Sequence, residues 1–385
     1  LEDLSLLRLA QTSLPMTPFL YVCLAVAVGM LLWDTIEVGR NDGTNLVNAI
    51  VGARVLRHRH AIWLAGAGVL LGACMSGGVI DTARKGIFDP GMLTLHGALA
   101  VYVSVYIVDT ILLYSYSAFA MPVSTTACLI FELLGASFAL KYGSIVKWEV
   151  SGKVVLAIVC SVILSGFAAF MVQRVMRAAL RDRTESLTLL LAHGGWVGGG
   201  MATGLCYFLL LKGMKHVPFV KHLHADVVEG YGTAVVVLVL WVIFAVLIHA
   251  LLIVFRKKAA RLLFPALAVL GMLAMAFAFG QNDLANCASP GLAAITLLDN
   301  RDRDVASASD VEIGVWALAG CGVLLVLGMH TRNAKRVTNA TIGTGSMSNL
   351  VELWAPNWCI ALARFLLRFR RRAPSLAPKP AITAL

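Results

Sequence analysis

The sequence predicts an all-α, polytopic membrane fold. Of its residues, 59% are hydrophobic and 14% are charged, where a soluble chain carries about 25% charged residues. Mean hydropathy is +0.82. Apolar stretches long enough to cross roughly 30 Å of hydrocarbon recur along the chain with short polar connections between them. A chain of 385 residues built this way has room for on the order of ten crossings. It leaves no room for a separate soluble domain.

The apolar segments run over residues 18–38, 61–80, 98–120, 123–140, 154–171, 187–211, 234–254, 262–278 and 313–329. Two further apolar stretches, 43–56 and 284–298, are too brief to cross unaided, and each follows an Asn-Asp pair. Residues 354–369 set Arg364 and Arg368 among Leu, Ile and Phe, the pattern of an interfacial helix. Beyond them a tail with Pro374, Pro378 and Pro380 reads as a solvated end. The first seventeen residues lack the basic start and small-residue cleavage pattern of a signal peptide, so no cleavage is expected.

Lysine and arginine number 32 against 21 acidic residues, a net charge of +11. The basic residues fall in short clusters between apolar runs, which is a signal of bilayer orientation and not of nucleic-acid binding. The eight cysteines stand singly and mostly inside apolar stretches, so they imply neither disulfides nor a zinc site. With the clusters at 54–59, 174–183, 256–261 and 332–336 on the cytoplasmic side, the crossings between them count consistently. The loop 212–229, with His216, His222 and His224, then falls outside.

On that scheme residues 18–56 make one net crossing inward and residues 262–298 one net crossing outward. The two units also align, Gly39-Arg40-Asn41-Asp42-Gly43-Thr44-Asn45 against Gly280-Gln281-Asn282-Asp283-Leu284-Ala285-Asn286, a shared G-x-N-D-x-x-N. Two inverted-topology repeats whose apolar segments are interrupted by polar residues point to a secondary transporter with its substrate between the repeats. The expected organisation is a first repeat over 1–183, a connecting transmembrane pair over 184–260, a second repeat over 261–340, and an interfacial helix and tail over 341–385.

An Asp inside a membrane-embedded stretch costs roughly 2.5 to 3.5 kcal/mol, and the cost occurs twice. Gly39 and Gly280 permit backbone turns that other residues resist, so broken or re-entrant helices are expected at both motifs. Asp42 and Asp283 offer hard anionic oxygens to a cation. Asn41, Asn45, Asn282 and Asn286 offer amide oxygens or N–H groups. Either motif alone could equally be a surface turn; the repetition favours a site. A second candidate is Met121-Pro122-Val123-Ser124-Thr125-Thr126, where a proline in the first helical turn and three hydroxyls could cradle an oxyanion or simply cap a helix. Asp34, Glu37, Asp109 and Glu132 also lie within apolar segments, and Asp34 and Glu37 could join a cation site. The glycine-rich run 193–200 lacks the Lys-Ser/Thr ending of a phosphate loop and reads as close helix packing.

Taken together, the two G-x-N-D-x-x-N motifs and Pro122-Val123-Ser124-Thr125-Thr126 resemble the inorganic phosphate transporter family of sodium-phosphate symporters, over residues 34–298. The resemblance implies a homodimeric, multi-pass cell-membrane protein that takes up inorganic phosphate with a coupling cation, and no catalytic residues or cofactor. It implies that Asn41, Ser124, Thr125, Thr126 and Asn282 bind substrate and that Asp42, Asn45, Asp283 and Asn286 bind the cation, with sodium at Asp42 and Asp283. None of the nine histidines falls in the motif segments, which favours sodium over a proton, although either aspartate could carry a proton. The family's second half also carries a P-x-S-T-T segment. After residue 298 only residues 343–349, Gly-Thr-Gly-Ser-Met-Ser-Asn, come near it, so either the sequence is shorter than a complete transporter or its second half has diverged, and divergence leaves another small oxyanion open as substrate. An ion channel using the same helix ends is the alternative mode of transport.

Overall fold

The computed structural model describes residues 16–80, 90–140, 146–181, 183, 185–213, 220, 230–309 and 312–346. Two compact units divide the chain, residues 1–339 and 340–385. The loop histidines His216, His222 and His224, the 354–369 segment and the tail lie outside the described residues, as do residues 347–349.

The architecture is helical throughout the described core. Helix α1 (Pro18–Asn41) starts with proline in its first turn, and the Thr17 hydroxyl accepts from the Leu20 amide at 3.4 Å. It is followed by α2 (Thr44–Gly52) and α3 (His58–Cys74). Helix α4 (Leu95–Ala118) is capped by Thr94, and α5 (Thr125–Ala139) by Ser124. Then come α6 (Trp148–Leu180) and α7 (Gly195–Cys206), the latter flanked by π-helical turns over Leu190–Gly194 and Tyr207–Gly213. Helix α8 (Thr233–Asp299) turns sharply at Arg256 (φ 40°, ψ −117°), which divides it into arms 233–255 and 257–299. The short α9 (Val305–Ser309), α10 (Val315–Met329) and α11 (Arg332–Ser346) complete the order. Among the described residues, four helical stretches are long and apolar enough to cross a membrane: Pro18–Gly52, Leu95–Ala118, Trp148–Leu180 and Thr233–Asp299.

Most of α6 presents its apolar side chains outward, including Leu156, Ile163, Leu164 and Phe167. In water that would be a large exposed patch; in a bilayer it is a lipid-facing surface. The protein's interior is instead built by α1, α3, α10 and the second arm of α8, which share one buried cluster around Val38, Val69, Ala276 and Leu325.

Small residues set how closely these helices approach. A Cβ on Gly39 would overlap the Leu325 carbonyl oxygen, and one on Gly328 would overlap that of Ile36. Across the other pair, a Cβ on Gly280 would overlap the Val69 carbonyl oxygen and one on Gly72 that of Phe277. Backbones in contact leave no room for side chains, which is the usual means of packing helices where lipid removes the hydrophobic drive. The α3 and α10 helices complete the arrangement, Gly66 facing Val326 and Gly322 facing Leu70.

Two expectations are corrected here. The second motif does not break its helix, since Gly280 to Asn286 lies within the continuous second arm of α8, whereas at the first motif α1 ends at Asn41 and α2 begins at Thr44, so the interruption falls at Asp42 and Gly43 and not at Gly39. Glycine is required at both places for close approach. The stretch 284–298 is accordingly the end of a long arm, not a short re-entrant piece. Pro122 likewise precedes α5 by three residues instead of occupying its first turn. The packing reading of the 193–200 run agrees with the structure, because a Cβ on Gly199 would lie 2.7 Å from the Ala245 nitrogen.

Candidate functional site

The site gathers around the connection from α4 to α5. Helix α4 ends with Ala120 in the left-handed region (φ 56°), where the Met121 amide donates to the Tyr116 carbonyl at 2.9 Å. A non-glycine residue there is uncommon, so the turn needs support from outside. Asn41, fully buried at the end of α1, provides it. Its Nδ2 donates to Ser117 Oγ at 3.1 Å and to the Met121 carbonyl at 3.0 Å, and its Oδ1 accepts from the Val123 amide at 3.1 Å. With both donors and its oxygen engaged, Asn41 holds the loop in place.

The other end of the same loop meets the second motif. Thr125 Oγ1 donates to Asp283 Oδ1 at 3.0 Å. Asn286 Nδ2 lies 2.7 Å from Thr126 Oγ1, 3.3 Å from Thr125 Oγ1 and 3.4 Å from Asp283 Oδ1. Residues from three distant parts of the sequence therefore converge: Asn41 and Asp42, the 121–126 loop, and Asp283 with Asn286. Asp42 is buried, its Oδ1 has no hydrogen-bond partner, and it lies within the electrostatic reach of Asp283. Two carboxylates within electrostatic reach of each other, one with an oxygen left open, suit a cation nearby.

The remaining expected residues are placed differently. Ser124 is exposed and accepts from the Ala127 amide at 3.4 Å, the geometry of a helix cap. Asn45 is exposed, and so is Asn282, whose Nδ2 donates back to the Ala278 carbonyl at 3.0 Å. Neither joins the buried group.

A second acidic group stands behind the first. Asp34 is fully buried with both oxygens unpartnered, and it faces Asp109. Ligand atoms of Asp109, Cys128 and Glu132 lie within 4.8 Å of one another. Arg40 is paired with Glu37, and its guanidinium lies 5.5 Å from the Tyr114 ring centre. Sequence reasoning missed Ser117, Met121 and Val123 as partners of Asn41, and two of those three contacts run through backbone atoms that no side-chain motif could signal. It also missed the second repeated element, the glycines at 66 and 72 in α3 and at 322 and 328 in α10, whose equal spacing was there to be read.

The chain is similar to known proteins. Residues 38–350 match the model of the phosphate transporter family. The chain is similar to an inferred phosphate permease of Pyrococcus furiosus, 27% identical over 311 residues, covering 77% of this chain and 71% of that protein. A counterpart from Pyrococcus horikoshii is 27% identical over 331 residues, covering 83% and 76%. Among solved structures, one described as the sodium-dependent phosphate transporter superposes with a TM-score of 0.67 at 21% identity, covering 84% of this chain and 78% of that one. That likeness establishes the shared fold.

Proposed function

Because this chain belongs to the phosphate transporter family, we propose that it moves inorganic phosphate together with a coupling cation, sodium, by alternating access between two inverted repeats. Family membership makes it a multi-pass membrane transport protein and not an enzyme. The observation that carries the finer reading is the bridge from Thr125 and Thr126 to Asp283 and Asn286, which joins a hydroxyl-bearing helix start to a motif carboxylate from the other repeat.

Charge supports the coupling. Phosphate near neutral pH is an anion, and Asp42 and Asp283 already repel one another in a buried setting. A cation between carboxylates and substrate removes that repulsion. Arg40, inside the first motif, is already paired with Glu37, so a cation from solution is the fitting source of that charge. Sodium suits the hard oxygens of Asp42, Asp283 and their amide neighbours. In this assignment Thr125 and Thr126 receive the phosphate oxygens and Asn286 completes the cation shell, while Ser124, Asn45 and Asn282 stand exposed outside the buried group. Asn41 serves the substrate side by holding the loop. The inverted relation of the repeats is supported by the crossed glycine contacts: Gly39 and Ile36 meet Leu325 and Gly328 as Gly280 and Phe277 meet Val69 and Gly72. Each motif helix thus packs on the helix that follows the other motif. The cell membrane and a homodimer are the expected setting.

Uptake of radiolabelled phosphate into vesicles containing the purified protein tests the reading. Flux should saturate with phosphate and follow an imposed sodium gradient. Linear, non-saturating flux indifferent to sodium would establish the channel alternative, and stronger competition by sulfate or arsenate than by phosphate would reassign the oxyanion.

A further inference from the structure

The sharp turn at Arg256 does more than reverse α8. Its two arms leave an apolar groove between them, closed at the back by Ala202 of α7, with a volume of about 620 Å³. Ile248 and Leu252 line it from the first arm, and Leu263, Leu267 and Leu270 from the second. Lining positions run from Phe244 to Phe255 along the first arm, so the groove is about 16 Å long at the helical rise. That matches one leaflet of the hydrocarbon core, about 15 Å.

The groove's end at the turn has a definite charge. Lys258 is among its lining residues. Arg256, Lys257 and Arg261 stand around the same turn, and all four are exposed. None of them has an acidic partner among the described residues. An apolar slot one leaflet deep with cations at one end is complementary to an amphiphile that has an anionic head and an acyl chain. A neutral lipid would fill the slot and leave the cations unused. A soluble anion would use the cations and leave the slot empty.

We propose that this groove binds one anionic glycerophospholipid, its acyl chain lying between the arms of α8 and its phosphate held by Lys258 and the neighbouring cations. The site is separate from the Asn-Asp motifs and involves none of their residues. Bound there, the lipid fills the space between the arms and braces the turn at Arg256.

Native mass spectrometry of the detergent-purified protein, titrated with phosphatidylglycerol and with phosphatidylcholine of the same chains, tests the proposal. The expected result is one first-bound phosphatidylglycerol held about ten-fold more tightly than phosphatidylcholine, since each cation near an anionic head contributes a several-fold preference. Changing Lys257→Ala and Lys258→Ala together should abolish the preference while both lipids still bind. Ala266→Trp, which fills the slot, should weaken both. In about 1 M salt, where screening acts over roughly 3 Å, the wild-type preference should shrink. This last measurement needs no variant to fold. Equal binding of the two lipids by the wild type, or a preference that survives salt and the double variant, overturns the proposal.

Discussion

The two G-x-N-D-x-x-N motifs have the same spacing but opposite burial. In the first, the asparagine before the aspartate is buried: Asn41 clamps the 121–126 loop, whereas Asn45, one turn later, is exposed. In the second, the asparagine before the aspartate is exposed and the later one is buried: Asn282 bonds only back to its own helix, whereas Asn286 reaches Thr125 and Thr126. A single loop accounts for both patterns. It enters between the motifs and touches the near asparagine of one and the far asparagine of the other. Among the described residues, the two motifs therefore meet this loop through different asparagines.

The largest expected effect tests what the motifs still share. Asp42→Asn and Asp283→Asn should each abolish sodium-dependent phosphate uptake in vesicles while the protein still reaches the membrane. A carboxylate that only capped a turn would be silent on removal, or even stabilising, because a buried charge is lost. Intact sodium dependence in both variants would sink the cation assignment. If one variant alone retains it, the motifs differ in mechanism as well as in placement.

Next comes the shared packing. Gly39→Ala and Gly280→Ala both force a methyl group against a carbonyl oxygen of a neighbouring helix. Each should lower thermal stability, by about 1 to 3 kcal/mol as for overpacked cores, and the two losses should be similar. Melting temperatures in detergent measure this, and a harmless Gly280→Ala would show that the close approach of α8 to α3 is not needed.

The asparagines separate the motifs. Asn41→Ala leaves the Val123 amide without its partner and should cost about 1 to 3 kcal/mol, while the exposed Asn282→Ala should stay within about 0.5 kcal/mol. In phosphate affinity, Asn286→Ala should have a greater effect than Asn45→Ala. Equal effects within each pair, read by melting temperature and by calorimetric phosphate titration, would erase the difference described above.

The smallest effects divide the loop itself. Thr125→Val removes a hydrogen bond to a charged group and should weaken phosphate binding about ten-fold or more. Ser124→Ala removes a helix cap and should cost about 1 kcal/mol of stability. Titration beside thermal melting tells whether Ser124 contributes to affinity as well. A fall in melting temperature with affinity unchanged within about two-fold makes its role structural.

How much of this was legible in the sequence depends on how local each feature is. The membrane class, most helices and both motifs follow from hydropathy and residue spacing, which report on neighbours along the chain. The helix break expected at Gly280 did not follow, and at the first motif the interruption falls at Asp42 and Gly43 and not at Gly39, because glycine's freedom to turn and its lack of a Cβ look identical in a sequence. Only the Leu325 and Val69 carbonyls lying against them show that the second property is the one in use. Pro122 misled in the same way, marking the approach to α5 and not its first turn.

The sequence by itself determined that this chain lives in a bilayer and that it carries two matching carboxylate-amide motifs and one hydroxyl-rich loop. Those properties reside in short stretches, where side-chain chemistry and the helical period act directly. Tertiary structure alone decided that Asn41 and Asn286 are buried at the loop while Asn45 and Asn282 face outward. A helix has the same residues on its surface wherever it packs; which of them meet a partner depends on the neighbour's position and crossing, set by contacts between segments about 80 and 160 residues apart.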